Sequence, residues 1–309
     1  MTGRHEAVLP SEAVDALSVR SDGVYVDGTF GRGGHSELIL SVLGPAGALY
    51  ALDRDPEAVR AAGVRFAHDG RFRIERGSFE SLERFCDGWG ITGRVDGLLL
   101  DIGVSSPQLD DPRRGFSFLQ DGPLDMRMDP SEGPSAAQWL RQTDEHEIAD
   151  ALWRYGEERY SRRIARAIVC TRSESPIDTT AALASLVAGA VPSRERNKHP
   201  ATRTFQAIRI IVNRELDALK AGLEQALAVL RAGGRLVVIC FHSLEDRLVK
   251  RFIRANARVP QAPRRLPVAD TGAGAKLRAV GKLVRPSEAE CRANPRARSA
   301  LMRVAEVLA

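Results

Sequence analysis

The sequence predicts an α/β fold, a mostly parallel, doubly wound Rossmann-like sheet interrupted by an inserted helical domain. Three observations point there. Short apolar runs alternate with helical patterns through the first hundred residues, three of those runs end in an acid, and the strand signal vanishes between about residues 110 and 200 before returning. The first run, 24–27, ends at Asp27. Gly28, Gly31, Gly33 and Gly34 follow, and Leu38, Ile39 and Val42 then share one face of a helix. The second run, 48–52, ends at Asp53, and 72–75 and 97–101 supply two more strands, the last ending at Asp101. Residues 110–134, rich in Asp, Pro, Gly and Arg, read as a long structured loop, and such loops are usually functional. A helix opens at Ser135 with Trp139, Leu140, Ile148 and Leu152 as its apolar residues, and 160–169 and 180–187 continue in helical style. Phe205, Ile208, Val212, Leu216, Leu219, Leu223, Leu227 and Leu230 form a core-facing stripe of one long helix. Gly233-Gly234 ends it, 235–241 is a buried strand, and 300–304 adds an edge strand. The expected division is a discontinuous α/β domain, 1–109 and 201–309, and an inserted, mostly helical substrate-recognition domain, 110–200.

Composition narrows the function. A chain of 309 residues with 43% hydrophobic content can bury a sizeable core. No stretch approaches the ~18 apolar residues of a membrane span, and the N-terminus lacks the apolar region of a signal peptide. Cys86, Cys170, Cys240 and Cys291 form no C-x-x-C pair, which argues against a zinc cluster or a disulfide framework and fits a cytoplasmic location. Between residues 247 and 298, 14 Lys/Arg face three Asp/Glu; this excess of 11 leaves the rest of the chain at −6 within a total of +5. A basic tail on an otherwise acidic chain suggests a phosphate-backbone partner; the plainer reading is a solvated arginine-rich segment.

The candidate site follows from the predicted sheet. In an open α/β sheet, ligands sit beyond the carboxyl ends of the strands. Asp27, Asp53 and Asp101 would share that edge with the glycine loop, although any one of them could be a helix cap. Asp53, ending the second strand, suits ribose hydroxyls. The loop reads G-x-x-G-x-G-G, not the G-x-G-x-x-G of a dinucleotide site, so a nicotinamide dehydrogenase is the least favoured enzyme. With Asp27 before it, the loop resembles the D/E-x-G-x-G-x-G turn of class I S-adenosylmethionine methyltransferases, with Gly31 as a close-approach glycine.

After Asp101 comes Ser105-Ser106-Pro107-Gln108, which resembles the S/D-P-P-Y loop of enzymes that methylate the exocyclic amine of cytosine or adenine. That amine is a poor nucleophile because its lone pair is delocalised into the ring. Carbonyl, Ser or Asp acceptors on its N–H groups localise the pair, and in-line holding supplies rate by proximity. The catalytic candidates are Asp101, Ser105, Ser106 and Pro107. Gln108 stands where an aromatic would stack on the base, so Phe116, Phe118 and Trp139 are alternative stacking partners, each equally readable as core.

Eight blocks resemble the RsmH family, also called MraW. They are Asp-Gly-Thr-Phe-Gly-Arg-Gly-Gly-His (27–35), Asp-Ile-Gly-Val-Ser-Ser-Pro-Gln-Leu-Asp (101–110), Arg-Gly-Phe-Ser-Phe (114–118), Gly-Pro-Leu-Asp-Met-Arg-Met-Asp (122–129), Gly-Glu-Glu-Arg (156–159), His-Pro-Ala-Thr-Arg-Thr-Phe-Gln-Ala (199–207), Phe-His-Ser-Leu-Glu-Asp-Arg (241–247) and Asn-Pro-Arg-Ala-Arg-Ser (294–299). The resemblance implies a class I fold with a helical insertion, S-adenosyl-L-methionine as cofactor, and methylation of the N4 amine of one cytosine in the decoding region of 16S rRNA. It implies cofactor contacts at Gly33, Gly34, His35, Asp53, Phe79, Asp101 and Gln108, which makes Gln108 a cofactor ligand. The residues themselves suggest that Phe79 flanks the adenine and that the His35 backbone N–H faces the cofactor's polar end. No second His or Cys accompanies His35 at ligand spacing, so no catalytic metal is expected. Arg194, Arg196, Lys198, His199 and Arg203 form a second basic cluster for rRNA phosphates, and His242 joins the RNA-binding set. Three alternatives remain open: a DNA cytosine-N4 or adenine-N6 methyltransferase, a non-catalytic ribosome-assembly factor, and a homodimer formed through the long apolar helix in place of its core role.

Overall fold

The computed structural model describes residues 7–192, 199–257 and 274–309. Its compact units divide at other positions than 110 and 200: the first comprises residues 1–103 and 217–309, the second 104–216.

The first unit is built on strands β1 (Val24–Asp27), β2 (Ala48–Asp53), β3 (Phe72–Arg76), β4 (Val95–Asp101), β5 (Leu230–Cys240), β6 (Leu277–Val284) and β7 (Leu301–Val307). They form one sheet in the order β3-β2-β1-β4-β5-β7-β6, parallel except where β7 runs antiparallel to both β5 and β6. Order reverses at β1, which lies between β2 and β4, so a topological switch point opens at the end of β1. Leu98, Leu99, Leu100 and Val237 to Cys240 are fully buried, as expected of central strands with both faces covered. Helices α1 (Pro10–Leu17), α2 (Gly34–Val42), α3 (Pro56–Arg65) and α4 (Leu82–Trp89) belong to the same unit, the last three each following one of the first three strands.

In the second unit, α5 (Ser106–Asp110), α6 (Ala136–Gln142), α7 (Glu145–Gly156), α8 (Ser161–Glu174), α9 (Thr180–Ala190) and α10 (Thr202–Val212) surround a separate apolar core that includes Phe116, Leu140, Ile164, Leu183 and Phe205. Ser135 caps α6 through a reciprocal bond with Gln138, as its position before the apolar run predicts. The long loop before it is ordered from within. Arg114 is buried and donates to the carbonyls of Arg127 and Met128, while Leu124 and Met126 enter the core.

After α11 (Glu215–Val229) the chain enters β5, and α12 (Ser243–Asn256) and α13 (Glu288–Ala293) are the last two helices of the described residues.

Several expectations are corrected. The stripe from Phe205 to Leu227 is two helices, α10 and α11, because Arg214 takes a left-handed conformation (φ 51°) and Asn213 turns its amide onto the carbonyls of Met126 and Arg209; Leu230 and the Gly233-Gly234 pair already belong to β5. The final strand is interior; β6 lies outside it as the edge. The sequence pattern does not announce β6 because exposed Arg278 and Lys282 interrupt its apolar residues, and charges of this kind protect an edge from pairing with another chain.

Candidate functional site

The first unit gathers eight of the predicted residues at the carboxyl edge of β1, β2 and β4. Asp27 ends β1 and is 1% exposed. One of its carboxylate oxygens accepts the Thr29 N–H at 3.1 Å and the other the Ser36 hydroxyl at 2.7 Å. Its carboxylate therefore braces the glycine loop against the start of α2 and offers a ligand little. Beyond it, Gly31 (φ 57°) and Gly33 (φ 76°) occupy left-handed conformations. A side chain on Gly33 would also strike the Phe30 ring at 2.6 Å, whereas at Gly31 a Cβ would meet only the Thr29 carbonyl at 3.9 Å. Gly31 therefore presents open backbone, the feature a closely approaching ligand needs. Gly34 begins α2.

Asp53 ends β2. Its carboxylate accepts the Gly31 N–H at 2.7 Å and the Asp55 N–H at 2.8 Å, which ties the second strand end to the loop of the first. Each oxygen keeps a further lone pair for a ribose hydroxyl. Burial pushes the Asp53 carboxyl up to about 7; the two amide bonds oppose the shift and the Asp55 and Asp27 charges reinforce it. Phe79 follows β3 and rests between Gly28 and Gly222. A Cβ on Gly222 would lie 2.7 Å from its ring, and one on Gly28 would lie 3.3 Å from its Cβ. The aromatic thus stands beside the glycine loop because both neighbours lack side chains.

Asp101 ends β4, and its N–H donates to the Thr29 hydroxyl at 2.6 Å. Burial pushes its carboxyl up to about 6; the His35 imidazole opposes the shift, and the Asp27 and Glu245 charges add to it. Its Oδ1 is buried with no hydrogen-bond partner among the described residues. His35, in the first turn of α2, places Nδ1 3.6 Å from Asp101 Oδ2 and Nε2 2.9 Å from the Val8 carbonyl. The His35 ring thus stands between the Val8 carbonyl and the Asp101 carboxylate, and its backbone N–H lies in the first turn of α2.

These features fit an adenosyl cofactor. The edge offers open backbone at Gly31, spare acceptor capacity on Asp53, an aromatic at Phe79 and an unpartnered buried oxygen on Asp101.

His242 is corrected. It caps α12, its side chain is 10% exposed, and both ring nitrogens are buried without a hydrogen bond among the described residues. Nε2 lies 2.9 Å from Glu245 Oε1 but poorly aligned with it, while Glu245 Oε2 accepts the Phe241 and His242 N–H groups. A ring so enclosed does not present itself to an RNA phosphate.

In the second unit, Ser105, Ser106 and Pro107 open the short helix α5, and buried Gln108 accepts the Ser105 N–H at 2.9 Å through its Oε1. Phe116 is corrected as a stacking residue: it is 6% exposed, belongs to the unit's core and has the Arg114 guanidinium 5.9 Å from its ring. Trp139 packs against the same core with part of its surface free. His199 is exposed, accepts the Ala201 N–H through Nδ1 and lies 4.7 Å from the Phe118 ring. Arg203 is half-buried in α10. Arg194, Arg196 and Lys198 lie outside the described residues. Among the described residues no helix is long and apolar enough to cross a membrane.

The family model described as the MraW methylase family matches residues 2–308. A relative from Thioalkalivibrio sulfidiphilus (strain HL-EbGR7), named ribosomal RNA small subunit methyltransferase H, is 62% identical over 306 residues, which cover 99% of this chain and 98% of the relative. Solved structures with partial likeness include an rRNA methylase from Streptococcus thermophilus, with TM-score 0.41, 12% identity and coverage of 100% of this chain and 99% of that one. Another is fibrillarin from Aeropyrum pernix with bound S-adenosyl-L-methionine, with TM-score 0.41, 11% identity and coverage of 96% and 73%.

Proposed function

The chain belongs to the MraW methylase family, and from that premise we propose that it methylates the exocyclic N4 amine of one cytosine in the decoding region of 16S rRNA, with S-adenosyl-L-methionine as donor. The observation that carries the reading is the constellation on a class I sheet of Asp53, Phe79 and Asp101 around the open backbone of Gly31. Asp53 would hold the ribose hydroxyls, Phe79 would flank the adenine, and Asp101 Oδ1 would gain the polar partner it lacks. The name of the 62% identical relative, which specifies small-subunit ribosomal RNA, supports the choice of nucleic acid.

When bound, the cofactor supplies an electrophilic sulfonium methyl. Asp53, Phe79 and the Gly31 backbone would hold it with that methyl presented to the cytosine N4 amine, which would give up one N–H proton. The pocket's own work is to orient the amine, localise its lone pair and accept that proton. The acceptor is one of Asp101, Ser105, Ser106 or a backbone carbonyl. A base stacked in rRNA must first be splayed out, at a cost of a few kcal/mol. An rRNA substrate sets the reaction in the cytoplasm.

Tritium transfer from labelled S-adenosyl-L-methionine to 16S rRNA, to small subunits from a strain lacking the activity and to plasmid DNA tests the reading. Label on rRNA or subunits alone is expected. Label on DNA alone would replace it with a DNA amine methyltransferase, and cofactor binding without transfer would replace it with a non-catalytic assembly factor.

A further inference from the structure

The motif Gly-Glu-Glu-Arg at 156–159 has no part in the cofactor site, yet it opens an unusual stretch of surface. Gly156 ends α7, where a Cβ would strike the Arg203 carbonyl at 2.6 Å, so the motif's glycine serves close packing of α7 on α10. Glu158 is buried and accepts the Tyr160 N–H at 2.8 Å, which shapes the turn into α8. A run of cations begins at the motif's last residue: Arg159, Arg162, Arg163 and Arg166, all exposed, spaced i, i+3, i+4, i+7. That spacing sets Arg162, Arg163 and Arg166 along one face of α8, over about 6 Å of axis, with Arg159 in the turn just before it.

Two features separate this face from an ordinary solvated one. First, it lies at the N-terminal end of α8, whose first turn holds no acid. Cations there oppose the helix dipole, so local stability does not explain them. Most cations of α12 differ: apart from Arg247, they are Lys250, Arg251 and Arg254, toward that helix's C-terminal half, where the dipole favours them. Second, among the described residues none of the four arginines makes an ion pair, whereas Arg141, Arg154 and Arg209 of the same unit do so with Asp178, Asp150 and Glu215. Beside them is the Tyr160 ring, 5.4 Å from the Arg159 guanidinium. On α7, three residues before its end, Trp153 is 60% exposed. An exposed Trp close in sequence to unpaired arginines is the composition of a surface that stacks a base and holds phosphates.

We propose that the α7–α8 corner, through Arg159, Arg162, Arg163 and Arg166 with Trp153, is an RNA-backbone binding surface of this chain. Guanidinium groups suit phosphate oxygens because their planar fork donates two parallel bonds. The inference rests on the proposed rRNA reading for the identity of the partner, and it adds where that partner is held.

The test is binding of the full chain to deproteinised 16S rRNA across a salt series. Replacing Arg162, Arg163 and Arg166 with Gln should raise Kd at least tenfold and flatten the log Kd against log salt slope by about 2, at roughly 0.7 per lost contact. The triple Lys variant should restore most of the slope, and Trp153→Ala should weaken binding several-fold with the slope unchanged. S-adenosyl-L-methionine affinity and the melting midpoint should stay at wild-type values in every variant. A Gln variant with wild-type Kd and slope overturns the proposal. So does weakening toward assembled subunits but not naked rRNA, which would assign the face to an acidic protein. Wild-type protein that binds rRNA through these arginines but transfers no methyl group would sink the catalytic reading and leave this surface standing.

Discussion

The two units treat their polar and aromatic residues in opposite ways. In the first, the acids that end β1, β2 and β4 converge on one glycine loop, and two of them, Asp53 and Asp101, hold carboxyls pushed up to about 7 and about 6 by burial. In the second, Phe116 is core, and the α8 arginines, without ion pairs among the described residues, lie on an exposed helical face. The difference teaches where function can be read. A strand end in a parallel sheet has one possible location, so its chemistry follows from topology. An aromatic in a helical unit has two, core or surface, and sequence spacing does not choose between them.

The largest expected effect comes from breaking the first unit's edge. Asp101→Ala should lower methyl transfer at least a hundredfold with the melting midpoint little changed, read by label incorporation beside a thermal melt. Full activity in that variant would remove Asp101 from the site. Next, Asp53→Asn should weaken S-adenosyl-L-methionine binding about tenfold or more by calorimetry, since charge-assisted bonds to ribose hydroxyls are worth about 1.5–3 kcal/mol. An unchanged Kd would reduce Asp53 to a brace for Gly31.

A pH series sharpens the same contrast. Asp53 accepts ribose hydroxyls best when ionised and titrates near 7. Cofactor Kd should therefore tighten roughly tenfold from pH 6 to pH 8, with a proton released on binding. The stability sign is opposite. The folded chain holds this proton where the unfolded chain, with an ordinary carboxyl, has lost it, so these buried acids cost the cofactor-free protein stability as pH rises from about 4 to about 7. A cofactor Kd flat over pH 6–8 would contradict the assignment.

The smallest expected effect on chemistry belongs to the second unit. Phe116→Ala should cost about 3–5 kcal/mol in stability, as a buried aromatic does, yet leave kcat per folded molecule within about twofold. A stable variant with a collapsed kcat would return Phe116 to the substrate.

Much of this was legible in the sequence for physical reasons. Val24–Asp27 and Ala48–Asp53 are strands with the expected bounds because short apolar runs closed by an acid and a turn, glycine-rich after Asp27 and Asp55-Pro56 after Asp53, have few other solutions. The tie from Asp53 to the Gly31 N–H was not legible, since it depends on how two strand ends meet. The break at Arg214 was hidden because the apolar stripe runs through it, and only the side-chain bonds of Asn213 show why the helix stops. His242 looked like an RNA residue because spacing cannot show that its ring is enclosed beside Glu245. The arginines of α8 were visible as letters, but their lack of ion-pair partners among the described residues needed the structure.

The central claim is that the carboxyl edge of the first unit's sheet binds the methyl donor for cytosine amine chemistry on rRNA. Nucleoside mass spectrometry of 16S rRNA methylated by the wild-type chain, with Asp101→Ala alongside, tests it most directly. The account predicts N4-methylcytidine at a single position with wild type and none with the variant. A methyl group on cytosine carbon, on another base or on ribose, or equal product from Asp101→Ala, would contradict it.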